Sequence, residues 1–171
     1  DEDDDIGRAL EEYFGQEAYE TDEDVYGMKS YEVDGETYIV GDSDTAYEAA
    51  VRTAENNFET GYTDSDKVDW LQKWNWPGVD EEEVCAALGD DPDDYDEGET
   101  IYQPDTIDEY ISMMGYEKAS EALSWDFLRS YVNTRDIGEF VVDTDGIANS
   151  LSTYNGKEIE LSGGLLAYKI R

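Results

Sequence analysis

Among the aspartate pairs with the spacing a hard cation can use are Asp64-Ser65-Asp66, Asp94-Tyr95-Asp96 and Asp143-Thr144-Asp145-Gly146. Alternating carboxylates in a loop are the usual raw material of Ca²⁺ and Mg²⁺ sites. None of the three continues as an EF-hand loop, which needs Gly at the sixth place and Glu at the twelfth. With 46 Asp and Glu against 11 Lys and Arg, such pairs arise by chance, so no metal ligand is expected. The rest of the catalytic vocabulary is thin. There is no His, which removes the commonest general base, the usual triads and most zinc sites. No Gly-x-x-x-x-Gly-Lys-Ser/Thr occurs, so a P-loop is excluded. Cys85 is the single cysteine and has no partner for an intramolecular disulfide. It suits a small buried position on a helix. Neither catalytic residues nor a cofactor is expected.

What these carboxylates can do instead is create a field. Val79 to Glu99 reads VDEEEVCAALGDDPDDYDEGE. Asp80, Glu81, Glu82 and Glu83 crowd the start of a short helix, where the helix dipole favours them. Beyond it come Asp90, Asp91, Asp93, Asp94, Asp96, Glu97 and Glu99, with Tyr95 among them. The dipole does not need this second group, and a solvated loop is its plain explanation. Nearby, Trp70 and Trp74 stand at i, i+4 and so share a helix face. Core filling is the plain account of Trp70, Trp74 and Trp76. The functional one is a protein-contact hot spot, where Trp is enriched. The acidic residues, Tyr95, Trp70 and Trp74 form the candidate partner-binding set.

Caps and periodicity predict the elements that carry these residues. Asp5 can cap a first helix with Ile6, Leu10, Tyr13 and Phe14 on one face, ended by Gly15. Glu17 to Asp24 reads as an acidic linker. MKSYEV and ETYIVG flank Asp34-Gly35, a hairpin signal with a primed turn. Thr45 with Glu48 has the capping-box pattern, ahead of a helix to about Thr60 with Ala46, Ala50, Ala54 and Phe58 aligned. A helix from Ser65 carries Val68, Trp70, Leu71 and Trp74. Asp80 with Glu83 and Thr106 with Glu109 repeat the box, and Val79 with Val84 can staple the first of these. Gly89 and Gly115 end those two helices. Glu117 to Val132 is the longest helical pattern. EFVV and DTDG after it are mixed, IANSL is a helical turn, and two short strands close the chain around Asn155-Gly156 and Ser162-Gly163-Gly164.

The predicted class is α+β: a small, mainly antiparallel sheet from the N-terminal hairpin and the C-terminal strands, with a helical middle on one face. One domain over residues 1–171 is expected, with 1–5 and 90–103 mobile. Fourteen Tyr and four Trp argue against a disordered acidic chain. No apolar run reaches the roughly 18 residues of a membrane span, and no signal-peptide pattern is visible. The chain opens on DEDDD without Met, so a trimmed N-terminus is expected. The expected location is the cytoplasm.

YEVDGETYIVGDSDTAYEAAVRTAENNF, residues 31–58, resembles the N-terminal part of small uncharacterised proteins of tailed phages, a hairpin followed by an acidic, Ala-rich helix. The closing segment, DTDGIANSLSTYNGKEIEL and AYKIR within residues 143–171, resembles theirs as well. The resemblance implies a phage or prophage origin and carries over no site residue. It leaves the helical middle uncovered.

A net charge of −35 repels nucleic acid and anionic membranes. At one charge per ~1.7 Å of duplex axis, it matches about 20 base pairs. The expected function is therefore a phage-encoded DNA mimic. Its partner would be a basic nucleic-acid-binding host protein, such as a restriction nuclease or CRISPR effector. The alternatives are a halophilic protein whose acidity serves solubility, and an acidic adaptor of the virion.

Overall fold

The computed structural model describes residues 2–94, 96–152 and 154–171, without the side chains of residues 2–4 and 92. Its order is α1 (Glu2–Phe14), β1 (Ala18–Val25), β2 (Met28–Val33), β3 (Glu36–Asp42), α2 (Ser43–Gly61), α3 (Asp64–Lys73), α4 (Glu81–Leu88), α5 (Ile107–Met114), α6 (Tyr116–Ala122), α7 (Trp125–Leu128), α8 (Thr134–Asp145), α9 (Ile147–Leu151), β4 (Ile159–Glu160) and β5 (Leu165–Lys169). The chain divides into two compact units, residues 1–57 with 137–171, and residues 58–136.

The first unit is an α+β layer structure. Its sheet runs β1-β2-β3-β5-β4 and every pairing is antiparallel. The class and the joining of the N-terminal hairpin to the C-terminal strands are as the sequence predicts. Asp34 and Gly35 both take positive φ, 51° and 79°, the primed turn that matches strand twist. Alternation along the strands builds two cores. Met28, Ile39 and Tyr168 pack with Ala46, Ala50 and Val51 of α2, Val142 of α8 and Leu151 of α9. Tyr31, Val33, Tyr38, Val40 and Ala167 point the other way, onto Ile6, Ala9 and Leu10 of α1. Helices thus cover both faces, and β3 is buried from Thr37 to Gly41 without a break.

Several boundaries differ from expectation. Asp5 lies inside α1, which begins at Glu2. The acidic stretch read as a linker is the edge strand β1. Its register with β2 shifts between Glu20 and Asp24, and an irregular, charged edge resists pairing with other chains. Asp42, not Thr45, caps α2, its Oδ1 accepting from the Thr45 N–H at 2.7 Å. That bond lowers the Asp42 pKa below the ordinary carboxylate value. Residues 139–142, EFVV, belong to α8.

The second unit is helical. Thr63 caps α3 two residues ahead of the expected start at Ser65, accepting from the Asp66 N–H. The long helix expected over Glu117–Val132 is broken. α6 ends at Ala122, with Leu123 as its C-cap, and Ser124 caps a new helix by accepting from the Phe127 N–H. A hydroxyl able to satisfy a free backbone donor makes that break inexpensive.

Candidate functional site

The acidic site starts from a capped helix. Asp80 accepts from the Glu83 N–H at 3.2 Å, as the capping pattern requires. Its own N–H donates to the Tyr131 carbonyl, and Val79 bridges Val132 beside it. Glu81 has a role the sequence did not reveal. Its Oε1 accepts from the N–H of Ile107 at 2.8 Å, the first residue of α5 and fully buried. So one carboxylate at the head of α4 satisfies a donor at the head of α5. Glu82 and Glu83 are exposed.

Gly89 ends α4 with φ −69°, so left-handed backbone is not the reason for glycine. A Cβ there would stand 2.3 Å from Gln103 Oε1. Gln103 needs that space, because its Nε2 donates to the Cys85 carbonyl at 2.7 Å in the last turn of α4. The loop between them closes on itself. Asp90 N–H donates to the Tyr102 carbonyl, and Tyr102 N–H donates back to Asp90 Oδ2. Ends that meet after about a dozen residues make a compact loop of the Ω kind. Inside it, a 3₁₀ turn spans Pro92–Asp94, Asp91 Oδ1 accepts from the Asp93 N–H, and Glu99 N–H donates to the Asp96 carbonyl. Asp91, Asp93, Asp94, Asp96, Glu97 and Glu99 are exposed around this frame, while Asp90 is half-buried at its neck. Tyr95 lies outside the described residues.

Cys85 is buried in α4, and its thiol pKa is raised, first by burial and then by Glu81 and neighbouring carboxylates. It is a packing residue, as its position predicts.

The tryptophans divide. Trp76 is the buried one, its indole N–H donating to Asp108 Oδ1 at 3.2 Å. Trp70 is half-buried with its ring edge-on to Phe58, centroids 5.4 Å apart. Trp74, at the end of α3, is 42% exposed, with Lys73 Nζ over its ring. Shared helix phase therefore did not give Trp70 and Trp74 the same surroundings.

The structure adds Asp136 to the acidic set. Asp80, Glu83 and Asp136 line one open groove together with Tyr131 and Asn133. Asp136 is more than fifty residues from Asp80, and the two segments are brought together by the bridge between Val79 and Val132 and by the backbone bonds Asp80 N–H to Tyr131 and Asn133 N–H to Gly78. No Lys or Arg occurs in the chain between Lys73 and Lys118. Among the described residues, no group of three or more Asp, Glu or Cys is arranged to hold a metal ion. Of the Asp-x-Asp pairs, Asp64 stands 3.8 Å from Lys67 Nζ, and Asp143 accepts from the Tyr47 hydroxyl. The groove and loop are suited to guanidinium and ammonium groups. Among the described residues no helix is long and apolar enough to cross a membrane. Comparison with protein-family models, curated proteins and solved structures returned no match.

Proposed function

We propose that this protein is a nucleic-acid decoy, encoded by a phage or prophage, that occupies the basic groove of a host DNA-handling or defence protein. The observation that carries the reading is the frame of the acidic loop. Its carboxylates sit on a segment closed at its neck by the Asp90–Tyr102 pair. Anchored charges suit a decoy better than charges on a free tail, since less entropy is lost when they are engaged. The lack of cations from residue 74 to 117 supports it as well. Phosphates are replaced by Asp93, Asp94, Asp96, Glu97 and Glu99, with Glu82, Glu83 and Asp136 beside the head of α4.

Such binding falls steeply with salt, because it pairs fixed charges. It also excludes DNA, since both ligands need the same cations. The test is retention of basic proteins from a host lysate, eluted separately by salt and by duplex DNA of about 20 base pairs, the charge equivalent of this chain. Proteins released by both are expected. Each is then titrated with DNA and this protein together. A stable ternary complex at the groove refutes the decoy reading.

A second reading has one observation in its favour. Acidity is not confined to the loop: Glu20, Asp22, Glu23 and Asp24 of β1 are all exposed. Dispersed charge of that kind is what adaptation to a saline medium produces. That protein should require molar salt to fold. A cooperative thermal transition in 0.1 M KCl, where charges interact over a Debye length of ~10 Å, would remove this alternative.

A further inference from the structure

The helical unit also holds a small cavity that the acidic loop does not account for. It measures ≈ 140 Å³ and lies between α3, α5 and α6. Val68, Trp76, Ile111, Ala119 and Leu123 form its apolar wall, and Ser65, Gln72 and Ser120 add polar groups to the lining. Ala119 leaves room because it is small, and the hydrogen bond from Trp76 to Asp108 holds the indole in place. A volume of about 150 Å³ is enough for a group the size of benzene. This one therefore accepts one leucine, methionine or phenylalanine side chain.

Its surroundings define what should accompany that side chain. Among the described residues lining the cavity, Asp69 is the only charged one, and it is exposed. Tyr116, also in the lining, is 64% exposed. Met113 and Met114, just before it in the chain, are 60% and 38% exposed. Exposed tyrosines also stand elsewhere, at Tyr13, Tyr19 and Tyr154, but Met113, Met114 and Tyr116 put three large apolar groups within four residues at the α5–α6 junction. Tyr and Met are enriched where proteins meet.

We propose that this cavity is an anchor pocket for the partner protein, taking one apolar side chain flanked by Lys or Arg. The inference rests on the decoy reading for the basic character of the partner. It adds a contact DNA does not have. The acidic loop competes for cations, and the pocket lets the partner distinguish this protein from a duplex. Asp69 at the mouth pairs with the flanking cation, and Tyr116 covers the aliphatic stem.

The test uses methyl-labelled full-length protein and the capped peptide Gly-Lys-Leu-Arg-Gly. Binding should shift the methyl signals of Ile111, Ala119 and Leu123. The analogue with Ala for Leu should bind at least tenfold more weakly. Asp69→Asn should weaken the Lys-Leu-Arg peptide several-fold and leave a Ser-Leu-Ser peptide unchanged. Ser120→Trp, at an exposed rim position, should block the methyl shifts while the spectrum of the free protein shows the fold intact.

Equal binding of the Leu and Ala peptides overturns the pocket. So do shifts confined to amides of the acidic loop, and in that case the decoy reading still stands. Equal binding of the Lys-Leu-Arg and Ser-Leu-Ser peptides overturns the cationic partner class. A ternary complex with DNA, by contrast, refutes the decoy and leaves the peptide result untouched.

Discussion

Removing the Glu81 carboxylate separates the charges that build the fold from those available to a partner. Glu81→Ala leaves the Ile107 N–H, now bonded at 2.8 Å, without an acceptor at a residue fully buried in the helical unit. An orphaned buried donor costs about 1–3 kcal/mol. Glu81 is half-buried, so water can replace part of the bond, and about 1–2 kcal/mol is the expected loss. With a urea slope near 2 kcal/mol per M, typical of small proteins, the midpoint should fall by about 0.5–1 M. All four tryptophans, Trp70, Trp74, Trp76 and Trp125, lie within residues 58–136. Tryptophan fluorescence therefore reports the unfolding of this unit alone. Glu81→Gln is the control, because the amide oxygen still accepts while the charge is gone; its midpoint should stay near wild type. The triple change Asp93→Asn, Asp94→Asn, Asp96→Asn should hold or raise the midpoint, since it relieves like-charge repulsion. If Glu81→Ala and Glu81→Gln unfold together, the hydrogen bond is not what Glu81 supplies. If the triple variant loses as much as Glu81→Ala, the division of roles is wrong.

The tryptophans should respond unequally. Trp76→Ala should cost about 3–5 kcal/mol, as for other buried aromatics, and Trp74→Ala under about 1 kcal/mol, both read from urea midpoints. In the first unit, Gly138→Ala should destabilise by about 1–3 kcal/mol despite alanine's higher helix propensity. A Cβ there would meet the Val51 carbonyl oxygen at 2.4 Å, and circular dichroism melts check the direction. At high pH the sheet should fail before its tyrosines ionise freely. Burial and the bond to Glu36 push Tyr38 up to about 12, and burial with the bond to Glu158 raises Tyr168 further. A folded-state pKa above the unfolded value means this stability is whole below about 10 and is lost as pH rises through about 12. Tyrosinate absorbance and far-ultraviolet circular dichroism should then show a late step at the same pH.

Local chemistry was the legible part of the fold. Asp34-Gly35 stated its turn, and Thr106 and Asp80 stated their caps, because each solves a problem within four residues. The misreadings came where a distant element decided. Glu20 to Asp24 looks like a linker since nothing apolar marks it, yet β2 supplies hydrogen bonds along part of it. EFVV reads as mixed because nothing local decides it, whereas the close approach of Gly138 to Val51 and the packing of Val142 fit a helix against α2. Glu117 to Val132 keeps a helical period through a break, and only the Ser124 cap marks it. At the site, the carboxylate ridge was visible as composition. Asp136 and the Glu81 bond were not, because both depend on which segments meet in the helical unit.

That dependence sharpens the meaning of the acidic excess. Carboxylates at helix starts find backbone donors, as Asp80 and Glu81 do, so the fold itself accounts for them. Past Gly89 the described donors are few: Asp91 serves Asp93, and Asp90 serves Tyr102. The other carboxylates of the loop are exposed, with no Lys or Arg in the chain between Lys73 and Lys118. Two like charges 4 Å apart repel by about 1 kcal/mol even in bulk water. A hydrophilic loop could be built from Ser, Asn and Gly without that penalty. The repulsion is instead sustained on a segment tied at its neck by the Asp90–Tyr102 bonds and by the Gln103 side chain on the last turn of α4. Solubility alone does not require the tie. The proposed decoy function would use it, because it fixes where the charges stand.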